Sequence, residues 1–484
     1  MSLARKIFGV GLWTGFSRIL GFLRDMLVGR YLGAGRLSDI FLTSFKLPNL
    51  FRDLLGEGAL SSVFIPLFSR GNKNENFASN AFSWLMLALL VITLVMEIFM
   101  PFVILGLAPG FDAEKLHATV VIARLMFGYV ILVCGVGFLA AILNAFSDFA
   151  VAAAVPILLN VFLIFGLLLF GANLYVLAGT VLFAGIVQIA ILFNRIRGRG
   201  FGLRLVRPRM TPMIKSMMRR LSWGFVGSGF YQLNIFVGVL LASFQSGAVS
   251  YLYYSDRMVQ LPFAIIGLAA GTVILTKISD AISSKKTDAV YRYQNAAARQ
   301  SMMLTFPCMA GLFALSDPII RILFEHGEWA PAATSAVAAA IMIQVWVLPF
   351  MTTSQIYLKT LYASGDAKTP VKIGALSLAF GVAVMLAAFF YGFEYLSVPI
   401  GTVVSGIFRN ILLKRTCVKL GLFKTDKNTL VANGVFLFLS ATMGLGLWFI
   451  RPVITGVFPL AAVLAAAAII YLPMAFFCDK ITKR

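Results

Sequence analysis

Residues 14–57 read TGFSRILGFLRDMLVGRYLGAGRLSDIFLTSFKLPNLFRDLLGE. Two segments apolar enough to lie in a membrane here carry Arg18, Arg24, Asp25, Asp39, Lys46, Arg52, Asp53 and Glu57. An ionisable group at bilayer depth costs about 2.5–3.5 kcal/mol on insertion scales, so such groups seldom stand there without a task. The spacing is helical: Thr14, Ser17, Arg18, Gly21, Arg24 and Asp25 recur at the steps that build one helix face. Asp39, Lys46 and Asp53 recur every seven residues, with Asn49 and Glu57 on the same side. Neither face can point into lipid, so both are expected to turn inward onto a shared, wet, charged cavity. An ion-pair lock between helices is the plainer alternative. It suits a single pair, such as Arg24 with a neighbouring carboxylate, but two or three charges would serve it and this stretch holds more.

The rest of the chain is apolar in the same way. Of 484 residues 60% are hydrophobic and 12% charged, at a mean hydropathy of +0.91. A soluble protein is about one quarter charged, so this is a polytopic membrane protein. The net charge of +22 would suggest nucleic acid in a soluble chain. Here the basic residues cluster between apolar spans, as in cytoplasmic loops that face anionic lipid, and no nucleic-acid partner is expected. Cys134, Cys308, Cys417 and Cys478 are scattered without metal-like spacing, so neither a disulfide framework nor a metal site is indicated. His117 and His326 lie far apart in short connections, with no partner for catalysis. A cleaved leader is not expected, because Arg18, Arg24 and Asp25 interrupt the apolar run.

At about twenty residues per span the chain holds roughly fourteen apolar segments, an all-α architecture. The first six lie at about 7–30, 37–68, 80–107, 117–145, 150–171 and 174–194. From Arg195 to Arg220 there are nine basic residues and no acidic one, punctuated by Pro208 and Pro212. This is expected to be a cytoplasmic linker, partly an amphipathic surface helix. Segments follow at about 221–246, 250–282, 290–316, 332–360, 369–391 and 395–416, with a final pair at about 429–450 and 457–477. Lys and Arg fall on alternate connections, which places both termini in the cytoplasm.

The chain also repeats. Leu143–Asp148 (LNAFSD) reads like Leu361–Asp366 (LYASGD), and Leu47-Pro48 before Gly58 reads like Leu261-Pro262 before Gly271. The organisation is therefore an N-lobe of six helices (1–194), the basic linker (195–220), a C-lobe of six helices (221–420) and two C-terminal helices (421–484). Lobes of six helices share one orientation, related by a pseudo-twofold axis along the membrane normal, with the substrate site between them. Asp256 and Arg257 precede Leu261-Pro262 and add an expected charge pair from the eighth segment.

These residues carry a resemblance. Arg18-Ile19-Leu20-Gly21-Phe22-Leu23-Arg24-Asp25 resembles the first-helix motif of the MurJ/MviN lipid II flippases of bacterial peptidoglycan synthesis. Phe45-Lys46-Leu47-Pro48-Asn49-Leu50-Phe51-Arg52, followed by Glu57-Gly58-Ala59, is similar to that family's second-helix signature. Tyr253-Tyr254-Ser255-Asp256-Arg257 and Lys368-Thr369-Pro370-Val371-Lys372 are similar to its eighth- and eleventh-helix motifs. The last two segments match only in hydropathy and position.

The resemblance implies a transporter, not an enzyme, of the multidrug/oligosaccharidyl-lipid/polysaccharide exporter superfamily in the bacterial inner membrane. Its cargo would be lipid II, an undecaprenyl-diphosphate disaccharide-pentapeptide, flipped from the cytoplasmic to the periplasmic leaflet by alternating access. The two C-terminal helices would form a groove for the polyprenyl tail. Carried over by position, diphosphate binding falls on Arg18, Arg24, Arg52 and Arg257. Cavity or gate roles fall on Asp25, Asp39, Lys46, Glu57, Ser250 and Asp256. Membrane lipids and the cell-wall synthesis machinery are the further partners it suggests. Some family members bind sodium through an acidic residue of the seventh helix, but Leu221–Gly247 contains no Asp or Glu. That argues against sodium and for the membrane potential as driver, with no cofactor. The rival readings are an exporter of another polyprenyl-diphosphate oligosaccharide, a multidrug antiporter, a membrane enzyme acting on polyprenyl phosphates, and a scaffold for division-site partners. A drug antiporter would want a net negative cavity, and an enzyme would want an acid–base or metal constellation near the headgroups.

Overall fold

The computed structural model describes residues 3–53, 59–70, 73–284 and 286–482; the side chains of 3–10, 59, 62, 222–231, 268–270, 272–273 and 276 lie outside the description. Among the described residues all regular structure is helical, as expected from the sequence. Two compact units emerge, Met1–Val249 with His326–Trp329, and Ser250–Glu325 with Ala330–Arg484.

The first unit contains α1 (Leu3–Leu32), α2 (Arg36–Phe51), α3 (Ala59–Arg70), α4 (Glu75–Leu107), α5 (Ala113–Phe127), α6 (Tyr129–Ala145), α7 (Phe149–Ala154), α8 (Pro156–Phe170), α9 (Leu174–Arg197) and α10 (Pro212–Ala242). The second contains most of α11 (Ala248–Pro262), then α12 (Leu268–Ser283), α13 (Thr287–Phe324), α14 (Pro331–Gln344), α15 (Leu348–Ala363), α16 (Lys368–Ala388), α17 (Ser397–Lys419), α18 (Lys427–Ile450) and α19 (Val457–Thr482). Polar side chains start several of them. Asn74, Asp112, Asn173, Thr211 and Asp426 each accept a backbone N–H of the first helical turn.

Nine helical runs among the described residues are long and apolar enough to cross a membrane, and one of them, Lys368–Lys419, holds two of the expected segments. The expected segments at about 7–30, 37–68, 221–246 and 250–282 are not among the nine. Three of those four carry the ionisable residues that the sequence singles out.

The repeat read from short motifs extends to backbone geometry. Asp148 N donates to Leu143 O at 2.9 Å, and Asp366 N donates to Leu361 O at 3.0 Å. Ser147 and Gly365, at φ 59° and 85°, make these two turns left-handed. The same six-to-one closure joins Phe201 N to Ile196 O and Leu422 N to Cys417 O, across Gly200 and Gly421 at φ 73° and 65°. Lys73 N to Phe68 O and Lys286 N to Ala281 O, both 2.9 Å, form a third pair. The two prolines of the repeat are likewise followed by π-helical backbone, at 52–53 and at Phe263–Gly267. Proline lacks the N–H that would close the preceding helical turn, and a wider turn absorbs the gap. Gly267 is required there, since a Cβ would stand 2.6 Å from the Phe263 ring.

Between α9 and α10 the basic segment 201–211 is not helical. It is a strap whose backbone is gripped by side chains from the start of α4. Gly202 N donates to Glu75 Oε1 (2.8 Å), Arg204 N to Ser79 Oγ (3.2 Å), Val206 N to Ser83 Oγ (2.9 Å) and Arg209 N to Asn80 Oδ1 (2.8 Å). Asn80 Nδ2 returns a bond to Arg209 O at 2.7 Å. Phe201 and Leu203 are buried beneath the strap, in the core around Phe64, Phe68 and Phe138. The second unit holds its own exit segment in the same way. Asn295 of α13 donates to Lys424 O at 2.8 Å and accepts from Asp426 N at 3.1 Å.

Candidate functional site

In the first unit the site is built on α1 and α2. Arg18 is exposed on α1. One and a half turns later, Arg24 is held from two sides. Its Nη2 and Nε donate to Asp25 Oδ1 at 2.6 and 3.1 Å, and its Nη1 donates to Asn160 Oδ1 of α8 at 3.0 Å. Asn160 Nδ2 in turn donates to Ser17 O at 3.1 Å, tying α8 back to α1. Only 12% of the Arg24 side chain and 5% of Asp25 remain exposed, so the guanidinium plane is fixed by its neighbours. The ion-pair reading given to Arg24 with a neighbouring carboxylate describes this geometry. Asn160 has no place in the motifs. Its signal is that it is the one polar side chain in the otherwise apolar sequence of α8.

Asp39 begins the seven-residue series of α2 and is fully buried. Its Oδ2 accepts from Lys115 Nζ at 2.7 Å and from Gly247 N at 2.9 Å, and Lys115 Nζ also stands 3.9 Å from the centre of the Phe111 ring. Lys115 was missed because it sits beside Asp112 and Glu114, where a connection between spans was expected. Farther along, Lys46 of α2 is half-buried and Asp53, two residues past its end, is exposed. The series therefore grades from core to surface. Arg52 Nη2 pairs with Asp53 Oδ1 at 3.3 Å, and Gln232 Nε2 of α10 reaches Asp53 Oδ2 at 3.5 Å. Glu57 lies outside the described residues.

In the second unit, considered by itself, the expected residues lie on α11. Ser250 is fully buried. Asp256 accepts from Gln344 Nε2 of α14 at 3.0 Å and from Gln260 Nε2, while Ser255 Oγ donates to Gln344 Oε1 at 3.2 Å. Arg257 Nη2 donates to Tyr253 Oη at 3.1 Å, and the guanidinium lies 5.0 Å from that ring's centre. Consecutive helical residues project about 100° apart, which sends Asp256 and Arg257 to different neighbours.

Outside the spans, Asp148 joins Arg195 Nε and Arg199 Nη2 at 2.8 and 2.7 Å. Partial burial would raise its pKa, but hydrogen bonds and charge from Arg199 and Arg195 outweigh that and hold the carboxyl below the usual range. Each unit by itself presents arginines oriented by partners, Arg24 by a carboxylate and an amide in the first and Arg257 by an aromatic ring in the second. Guanidinium forks of this kind bind planar or tetrahedral oxyanions in two-point fashion.

Comparison with known proteins gives a consistent result. The family "Lipid II flippase MurJ" matches residues 28–470. A probable lipid II flippase MurJ of Rhizobium meliloti (strain 1021) is 32% identical over 504 residues, covering 98% of this chain and 94% of that protein. One from Rickettsia prowazekii (strain Madrid E) is 34% identical over 388 residues, covering 78% and 76%. Among solved structures, lipid II flippase MurJ in an inward closed conformation superposes with a TM-score of 0.78 at 23% identity, covering 96% of this chain and 99% of that one. An inward-facing multidrug resistance MATE family transporter of the MOP superfamily gives 0.70 at 14% identity, covering 89% and 95%. At these identities the structural likeness establishes the fold.

Proposed function

The chain belongs to the lipid II flippase MurJ family, and from that premise we propose that it flips lipid II from the cytoplasmic to the periplasmic leaflet of the bacterial inner membrane by alternating access. The observation that carries the cargo's chemistry is the fixed guanidinium of Arg24, braced by Asp25 on its own helix and by Asn160 of the otherwise apolar α8. A diphosphate is anionic and oxygen-rich, and a pre-oriented fork meets it with little ordering cost. On this reading Arg18, Arg24, Arg52 and Arg257 bind the diphosphate. Asp25, Asp39, Lys46, Glu57, Ser250 and Asp256 orient those arginines or take part in gating, and α18 with α19 accepts the polyprenyl tail. Both termini face the cytoplasm, as the alternation of basic connections requires.

The membrane potential is the proposed driver. Helix α10 and the turn after it, from Leu221 to Gly247, hold no carboxylate for sodium. Each elementary charge moved through the field is worth about 2.3 kcal/mol per 100 mV. The test is lipid II transport in proteoliposomes with the potential clamped by potassium and valinomycin. Wild type should follow the potential and ignore sodium. Arg→Lys variants at 18, 24 and 257 should lose transport, because the fork is lost while the charge remains. Full activity in all three variants would overturn the diphosphate assignment. Activity that tracks sodium alone would overturn the driver.

A further inference from the structure

Glu97 of α4 and Arg124 of α5 belong to no motif of the transport site. Both lie in runs apolar enough to cross a membrane. At 1.5 Å per residue, each stands about 15 Å from the end at which α4 and α5 adjoin, well inside the hydrocarbon. Part of the arrangement has a local cause. Pro101 has no N–H, so the Glu97 carbonyl loses its helical donor. Arg124 Nε supplies one at 3.1 Å. That accounts for the arginine and leaves the carboxylate unexplained. The carboxylate stands 4.0 Å from the guanidinium, the outer limit of an ion pair, and the side chains remain 44% (Arg124) and 34% (Glu97) exposed. Neither has another hydrogen bond or ion pair among the described residues. On the same two helices Leu90, Leu94, Ile98 and Leu125 are all exposed.

A loose, half-exposed charge pair facing lipid is costly. Its pattern specifies what would relieve it. Acid and base sit side by side at one depth, so the face is complementary to itself. We propose that this face of α4 and α5 is an interface with a second copy of the chain. A two-fold axis along the membrane normal sets Glu97 of each copy against Arg124 of the other, and four charges alternate in sign around the axis. An anionic lipid headgroup would answer Arg124 and repel Glu97, and so fits the face less well.

The experiment is single-molecule photobleaching of labelled full-length protein in phosphatidylethanolamine/phosphatidylglycerol liposomes over a range of protein-to-lipid ratios. Wild type should dimerise reversibly. Glu97→Arg alone and Arg124→Glu alone each set like charges together and should weaken self-association by about tenfold or more. Mixed, the two variants should pair with each other, since two arginines then face two glutamates. If either reversal fails to insert, Glu97→Gln and Arg124→Gln should show the same loss of self-association with helicity unchanged by circular dichroism. Wild type that stays monomeric at every ratio overturns the proposal. So does dimerisation indifferent to the substitutions, or a mixture that associates no better than either variant alone.

Discussion

Replacing Lys115 with methionine keeps the stem and removes the ammonium. Asp39 would then hold its charge in a site where its side chain is 0% exposed and that of Lys115 only 5%. Breaking a buried ion pair by removing one partner costs about 3–5 kcal/mol, because the remaining charge is uncompensated. The Gly247 N–H bond at 2.9 Å persists and places the expected loss at the lower end, about 3 kcal/mol. For a unit of this size each kcal/mol moves the midpoint by roughly 2–4 °C, so Tm should fall by about 6–12 °C. Cys134 is buried in the same unit and supplies the readout: its labelling by a thiol reagent, followed by mass spectrometry during a thermal ramp, reports opening of that unit. Adding Asp39→Asn to Lys115→Met should recover most of the loss, since a neutral amide then replaces the buried carboxylate that had lost its ammonium. A single variant whose midpoint stays within a degree or two of wild type would refute the reasoning, because the ammonium would not be compensating a buried carboxylate.

Three further outcomes follow from the geometry. The Asp148 carboxyl has a lower pKa folded than unfolded, so its contribution is intact above about pH 4 and is lost as the pH falls through the folded value; protease cleavage within 195–211 should rise in that acid window in wild type, with no such step in Asp148→Asn. Asn80→Ala and Asn295→Ala each remove a two-bond grip worth about 0.5–1.5 kcal/mol per bond, and hydrogen exchange should quicken at Arg209 N–H and Asp426 N–H respectively. Pro262→Ala supplies the missing N–H and should draw 263–267 towards regular α-helix, read as increased amide protection there; unchanged protection would show that proline does not cause the wide turn.

The fold class was legible because lipid imposes one rule on every span, and hydropathy reports it directly. The Arg24–Asp25 contact was legible too, since adjacent residues in an apolar run have few other places to put their charge. The destination of a polar side chain is a different matter. Asp39 is placed by Lys115, 76 positions along the chain, and Arg24 is braced by Asn160, 136 positions along. Neither partner follows from spacing, which describes one helix at a time. Periodicity put Asp39 on a face with Lys46 and Asp53, but it could not say that the first of these meets α5 while the last meets α10. The strap escaped for a related reason: composition showed nine basic residues between Arg195 and Arg220, and composition carries no record of a backbone satisfied by another helix's side chains.

That strap has an unusual tolerance built into it. Glu75, Ser79, Ser83 and Asn80 hold main-chain atoms of Gly202, Arg204, Val206 and Arg209, and at Arg204, Val206 and Arg209 a main-chain grip is blind to what the gripped residue carries, whereas a Cβ at Gly202 would stand 2.8 Å from Glu75 Oε2. Between Arg204 and Val206, sequence drift should therefore leave the path of the chain intact, provided no proline takes a gripped position. Pro208 already occupies a position that donates none of these bonds. In a saturation mutagenesis library 204, 206 and 209 would look nearly featureless apart from a depletion of proline, while the buried Phe201 and Leu203 would hold to apolar residues and 202 to glycine. The constraint would surface elsewhere, as intolerance at four polar positions on the first turns of α4 that no inspection of the strap itself would mark.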